Sequence, residues 1–192
     1  MAGPHRVRDN TLIDALESIS ATSFKGTVWR VVREGRDALM GSAAGGRWDD
    51  GTFDVLYTSL TADGAIAEMH FHLSRGLPVI PSRVHYRLFE LRASIARAVR
   101  LADLASIAGL GANISRYGAL SYVDRQQEYP RTQDIAETAH FVGFDGLIVP
   151  NARWDCLNAV LFCDRAPSGA SELVRDHGRI DWTRWKKTPL GF

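Results

Sequence analysis

Apolar positions change period several times along the chain, and each change marks an element. Leu12, Ile13, Leu16 and Ile19 recur at helical spacing and predict a short amphipathic helix over 11–20. After Ser23, Lys25 and Gly26 the run Thr27–Val32 is rich in β-formers, with Arg30 inside it. Residues 34–54 lose periodicity: Gly35, Gly41, Gly45, Gly46 and Gly51 punctuate a weakly hydrophobic stretch that reads as a long connection. Connections of this length inside compact domains are uncommon and tend to carry function. Phe53–Ser59 alternates as a strand, with Val55, Tyr57 and Ser59 on one face. A helix over 62–73 follows, capped by Thr61 or Asp63 and striped by Ala62, Ile66, Met69 and Leu73; Glu68 and His72 share another face.

The second half is predicted the same way. Leu77–Pro81 is a turn, and Val84, Tyr86 and Leu88 alternate with Arg83, His85 and Arg87 as a half-buried strand. Residues 93–108, rich in alanine and leucine, predict a helix ended by Gly109 and Gly111. Thr132 is placed as the cap of a helix reaching Val142, with Gly143 as its stop. Leu147–Val149, ended by Pro150, and Ala159–Cys163 are short buried strands. Trp182 and Trp185 lie among basic residues in a tail that packs on the body or on a partner. Strands and helices do not alternate regularly, so a doubly wound parallel sheet is excluded and a mixed α+β fold is expected.

Composition adds exclusions. The 192 residues are 45% hydrophobic and 23% charged, which suits one globular domain and excludes a disordered or fibrous chain. A formal net charge of +1 argues against a non-specific nucleic-acid binder while leaving room for a small phosphate-containing ligand. Cys156 and Cys163 make neither a disulfide framework nor a zinc site. No apolar run reaches membrane-spanning length and no signal core is visible, so a cytoplasmic location is expected. Gly41–Gly46 lacks the flanking strand and helix start of a dinucleotide fingerprint. Glu68, His70 and His72 have the wrong spacing for a zinc motif, so no metal is expected, and His72 reads as a neighbour tuning Glu68 or as a surface residue. His85 and His140 have no partner visible in the sequence, Cys163 lies in an apolar strand where thiols are inert, and Cys156 has no identifiable base.

Taken one at a time, Arg30, Gly46-Arg47-Trp48, Tyr57, Ser59 and Glu68 are ordinary: a strand arginine, a packing corner, a core tyrosine, a solvated glutamate. In order and spacing, with Gly51 between them, they resemble the front half of the RES domain, the toxin partner of RES–Xre toxin–antitoxin pairs. Ile135-Ala136, Gly143–Pro150, Ala152-Arg153, Asn158 and Val160–Phe162 resemble that family's C-terminal segment. The resemblance implies an ADP-ribosyltransferase-like split β-sheet core with surrounding helices. It divides the chain into an N-terminal extension with a short helix (1–26), a RES domain (27–165) and a tail (166–192). One position departs: the family's serine after the late proline is here Asn151, which keeps hydrogen-bonding capacity but has no hydroxyl.

The implied activity is depletion of NAD by cleavage of the nicotinamide–ribose bond, through hydrolysis or phosphorolysis, with NAD as substrate and no cofactor. Such cleavage passes through an oxocarbenium-like state, as glycoside cleavage does. Nicotinamide leaves neutral without a general acid, so the protein must supply negative charge near the ribose and anchors for the pyrophosphate. Glu68 suits the first task and Arg30 and Arg47 the second, because a guanidinium binds phosphate oxygens bidentately and stays charged when partly buried. Tyr57 is placed to stack on nicotinamide, and Ser59 and Asn151 to hydrogen-bond the substrate. On this reading the near-neutral charge hides a local asymmetry, two arginines and one glutamate on a common cleft. The resemblance also implies an Xre-family helix-turn-helix antitoxin and fits a homodimer within a larger assembly, with the oligomeric state left open. Two other readings stand beside it: a protein ADP-ribosyltransferase using NAD, and a catalytically weakened RES-like binding module.

Overall fold

A computed structural model describes residues 8–74, 84–121 and 123–187. The turn expected at Leu77–Pro81 and Arg83 of the next strand lie outside the described residues. Six strands and five helices follow in the order α1 (Asn10–Glu17), β1 (Thr22–Arg33), β2 (Val55–Ser59), α2 (Ala62–Ser74), β3 (Tyr86–Arg100), α3 (Leu104–Gly109), α4 (Tyr129–Phe141), β4 (Gly146–Pro150), β5 (Leu157–Phe162), β6 (Ser171–Arg179) and α5 (Trp182–Lys187), with a 3-10 turn at Asp124–Gln127 before α4. This is the expected mixed α+β architecture.

The strands run β1-β2-β5-β4-β3-β6, and β1 also pairs with β3, so the first five close into a ring with β6 attached to the outside of β3. Only β3–β4 is parallel. The alternation of side chains then sorts the core. Val28, Leu56, Leu91, Ile95, Ile148 and Leu161, drawn from all five ring strands, meet inside the ring. Outward-facing Val55, Val99, Leu147, Val160 and Phe162 pack under α1, α3 and α4. On the opposite side Trp29, Val31 and Leu88 pack under α2 and α5. The ring is uneven. β1 pairs with β3 over most of its length but touches β2 at a single register position, Trp29 opposite Ser59.

Two sequence expectations are corrected. Residues 93–100 are not the start of a helix but the second half of β3, and the helix begins only at Leu104, where Asp103 accepts from Ser106 N at 2.7 Å. Alanine-rich composition favours a helix, yet Leu91, Ala93 and Ile95 also alternate, and pairing along β1 decides between the two periods. Thr132 does not cap α4. It lies one turn inside the helix, and its hydroxyl donates to Tyr129 O at 3.0 Å.

Residues 34–54 form the long connection expected of them, and they fold over one end of the ring. Ala38 and Leu39 pack onto the ring interior, and Ser42 bridges to Val55. The last segment adds β6 along β3 and lays α5 on α2, where Trp185 Nε1 donates to the buried Asp63 carboxylate at 2.6 Å.

Candidate active site

The seam between β1 and β2 opens into a cleft of about 470 Å³. Glu68 reaches it from α2. That helix starts where β2 ends, with Thr61 Oγ1 accepting from Gly64 N at 3.1 Å, and packs Ala62 and Ile66 inward. This places Glu68 on the cleft side, with its carboxylate largely out of water. Ala152 N donates to Oε1 at 3.1 Å. Burial pushes the Glu68 carboxyl above its ordinary value of 4.5, against the opposing pull of the Ala152 amide, Arg153, Arg47 and the Asn158 side chain.

Arg47 is presented by a turn of the long connection built around Asp49. Asp49 sits fully buried beneath it and accepts from Gly45 N at 2.6 Å, Gly46 N at 2.8 Å and the Tyr57 hydroxyl at 2.9 Å. The same hydroxyl accepts from Trp48 N at 2.8 Å. From α4, Gln133 Nε2 donates to Gly46 O and Asp49 O. A side chain at Gly46 would put its Cβ 2.7 Å from the Tyr57 hydroxyl, so the turn admits only glycine there. The Arg47 guanidinium is buried, paired with Glu128, and lies over the Tyr117 ring at 4.3 Å and the Tyr129 ring at 5.1 Å.

Three buried amide and hydroxyl side chains join the strand ends behind Glu68. Ser59 and Asn158 face each other across β2 and β5, and Ser59 Oγ donates to Asn158 Oδ1 at 2.5 Å. Asn151 Nδ2 donates to Ser59 Oγ at 2.9 Å and Asn158 Oδ1 at 2.8 Å, while Asn151 Oδ1 accepts from Arg153 N at 2.7 Å and Trp154 N at 3.0 Å.

Of the site residues singled out in the sequence, the cleft gathers five, Arg30, Arg47, Tyr57, Ser59 and Glu68, in unequal states, and Asn151 lies outside its lining. Glu68, Arg47, Tyr57 and Ser59 line it directly. Arg30 also lines it, with Nη1 donating at 2.7 Å to both Ala38 O and Met40 O, so part of its guanidinium holds the long connection. Tyr57 has its hydroxyl engaged by Asp49 and Trp48, leaving the ring as the part that faces the cleft. Asn151 sits behind Ser59. His70 turns away and packs against Trp182 and Trp185, whereas His72 stands exposed at the rim. Among the described residues no three His, Cys, Asp or Glu side chains gather as metal ligands. His140 does have a partner, Asp164 at 2.9 Å, and stacks on Phe53 with ring centroids 4.4 Å apart. The partnership spans two elements and leaves no local signal.

Arg125, Arg153, Tyr117, Tyr129 and Asn158 also line the cleft and were given no role from sequence. Tyr117 and Arg125 come from the stretch between α3 and α4, which has no periodicity to announce it. Arg153 is fixed by donating Nη1 to Gly118 O. Asn158 was detectable, since it is a polar residue in an otherwise apolar strand.

A family model for the RES domain matches residues 27–183, and the chain belongs to that family. The match runs through β6 and into α5. No curated protein matches the chain by sequence. Among solved structures, a chain of the M. tuberculosis MbcT–MbcA toxin–antitoxin complex superposes with a TM-score of 0.77 at 18% identity, over 93% of this chain and 97% of that one. At that identity the likeness speaks to the fold. No helix among the described residues is long and apolar enough to cross a membrane.

Proposed function

We propose that the chain is the toxin of a toxin–antitoxin pair and cleaves NAD at the nicotinamide–ribose bond. The observation that carries this reading is the pairing of a largely buried carboxylate with fixed arginines on one cleft: Glu68 on one wall, Arg47 and Arg153 beside it. As the glycosidic bond breaks, its electron pair leaves with nicotinamide, which departs neutral, and positive charge develops on the ribose. A carboxylate already held in place stabilises that charge without reorganising at the moment of reaction. The arginines bind the pyrophosphate, and the Tyr57 ring offers a face to the nicotinamide. Water as acceptor gives ADP-ribose and a proton; inorganic phosphate gives ADP-ribose phosphorylated at the anomeric carbon. An acceptor side chain on another protein would give ADP-ribosylation by the same departure.

Membership of the RES family and a fold shared with a chain of a toxin–antitoxin complex support an antitoxin partner, which we take to be a helix-turn-helix protein of the Xre type. The test is incubation of the purified protein with NAD, with and without inorganic phosphate, and detection of free nicotinamide and of the ribose product. Prompt nicotinamide release is the expected result. A folded protein that releases none would point to the binding-module reading, and label from NAD retained on a protein would point to ADP-ribosyl transfer.

A further inference from the structure

The departure at Asn151 and the polar residue at Asn158 belong to one device, and its orientation follows from fixed points. Arg153 N and Trp154 N are backbone donors with no ambiguity of direction, and both point at one end of the Asn151 amide, which must therefore be the oxygen. The other end, Nδ2, is then a donor, and it lies 2.8 Å from the Asn158 side chain and 2.9 Å from Ser59 Oγ. The atom of Asn158 that meets Asn151 Nδ2 must be an acceptor, and it also receives the Ser59 hydroxyl hydrogen. The remaining end of the Asn158 amide is an NH₂ group, on a side chain that lines the cleft together with Glu68. The same turn that orients Asn151 delivers Ala152 N to Glu68 Oε1.

We propose that Asn158 is the positioning residue for Glu68, donating Nδ2 to its carboxylate, and that Asn151 sets the direction of that donor. This rests on the reading of Glu68 as the charge that stabilises the ribose cation. Asn151 accepts from the turn and donates to Ser59 and Asn158 at once. A serine there has a single hydrogen to donate and cannot hold Ser59 and Asn158 at once, so Asn158 keeps Ser59 alone as its donor or loses part of that bond. Around Glu68 the other ionisable groups are Arg47 from the long connection, Arg153 and Cys156 from the loop after β4, Tyr117 and Tyr129 from the segments flanking the 3-10 turn, Arg125 from that turn and His72 from α2 itself. None of them replaces an oriented amide donor.

The experiment compares N158A, N158D and N151S with the parent chain by two readouts. The first is the pH profile of NAD cleavage. Losing a hydrogen bond to a charged group moves the midpoint of the acid limb up by about one pH unit in N158A, with KM unchanged, and N158D moves it further because a second carboxylate faces the first. N151S gives a smaller shift in the same direction. The second readout needs no NAD. The stability difference between each variant and the same variant carrying E68Q is followed from pH 4 to pH 8, and its midpoint reports Glu68 directly. A midpoint that does not move in either N158A or N158D overturns the proposal, as does a loss of rate that is uniform across pH. If N158A fails to fold, N158D carries both readouts, being close in size. Should the parent chain cleave no NAD while the stability midpoint moves as expected, the functional reading falls and the positioning role stands.

Discussion

Replacing Glu68 with glutamine separates charge from shape. The variant keeps Oε1 as an acceptor for Ala152 N and fills the same space, so what disappears is the ionised form. Because burial raises the folded-state value above the ordinary 4.5, the ionised carboxylate is worse off folded than unfolded, by about 1.4 kcal/mol for each pH unit of displacement. The sign follows. The favourable contribution of the protonated acid is complete below about 4.5 and is lost as pH rises through the higher folded value, so the parent carries the full penalty above that value and the glutamine variant carries none. The stability of E68Q relative to the parent should therefore increase between pH 4 and pH 8, whatever constant offset the new NH₂ group introduces. Turnover should fall about 10²–10³-fold, the usual loss when a preorganised electrostatic partner is removed. Thermal or urea unfolding at several pH values and a nicotinamide-release assay read the two effects on one preparation. A stability difference flat with pH would refute the buried-charge reasoning, and a folded E68Q with undiminished turnover would refute the role of Glu68 in cleavage.

Other outcomes follow from the same geometry. Tyr57→Phe removes one donor from buried Asp49 and the acceptor of Trp48 N, so about 1–3 kcal/mol of stability should be lost in urea titrations, with KM for NAD rising as the Arg47 turn loosens. Arg47→Lys keeps the charge but not the fork or the stacking on Tyr117, and NAD binding measured by calorimetry should weaken at least tenfold. Gly118→Ala places a Cβ against the Ala152 carbonyl at a position with φ of +72°, so the chain should lose stability and the loop that feeds Glu68 should shift, seen as reduced turnover at saturating NAD. Trp185→Phe strips the buried Asp63 carboxylate of its indole donor and should lower the unfolding midpoint while leaving KM within twofold.

What could be read from the sequence was local. The strand Val55–Ser59 and the helix carrying Glu68 were visible because period, cap and length all agree over adjacent residues. The glycine-rich turn could be seen as a connection but not as a rigid one, since its buried carboxylate, Asp49, gains its meaning from Tyr57 on a strand and Gln133 on a distant helix. Residues 93–100 read as helix because alanine favours it, while the contact that decides for a strand, β1, lies some seventy residues earlier. The partner of Arg47 was out of reach for the same reason. Glu128 is one acid among many in the sequence, and only the fold brings it to that guanidinium.

The ring also governs when the cleft can exist. β2 pairs along its whole length only with β5, and Glu68 receives the Ala152 amide hydrogen bond, so both depend on chain made far later than the strand and helix they complete. The first hundred residues hold Arg30, Arg47, Tyr57, Ser59 and Glu68, yet the rest of the cleft lining, from Tyr117 to Asn158, comes after them. Chain cut before Gly146 therefore lacks both β4 and β5 and the amide that holds Glu68, and the completed cleft with them.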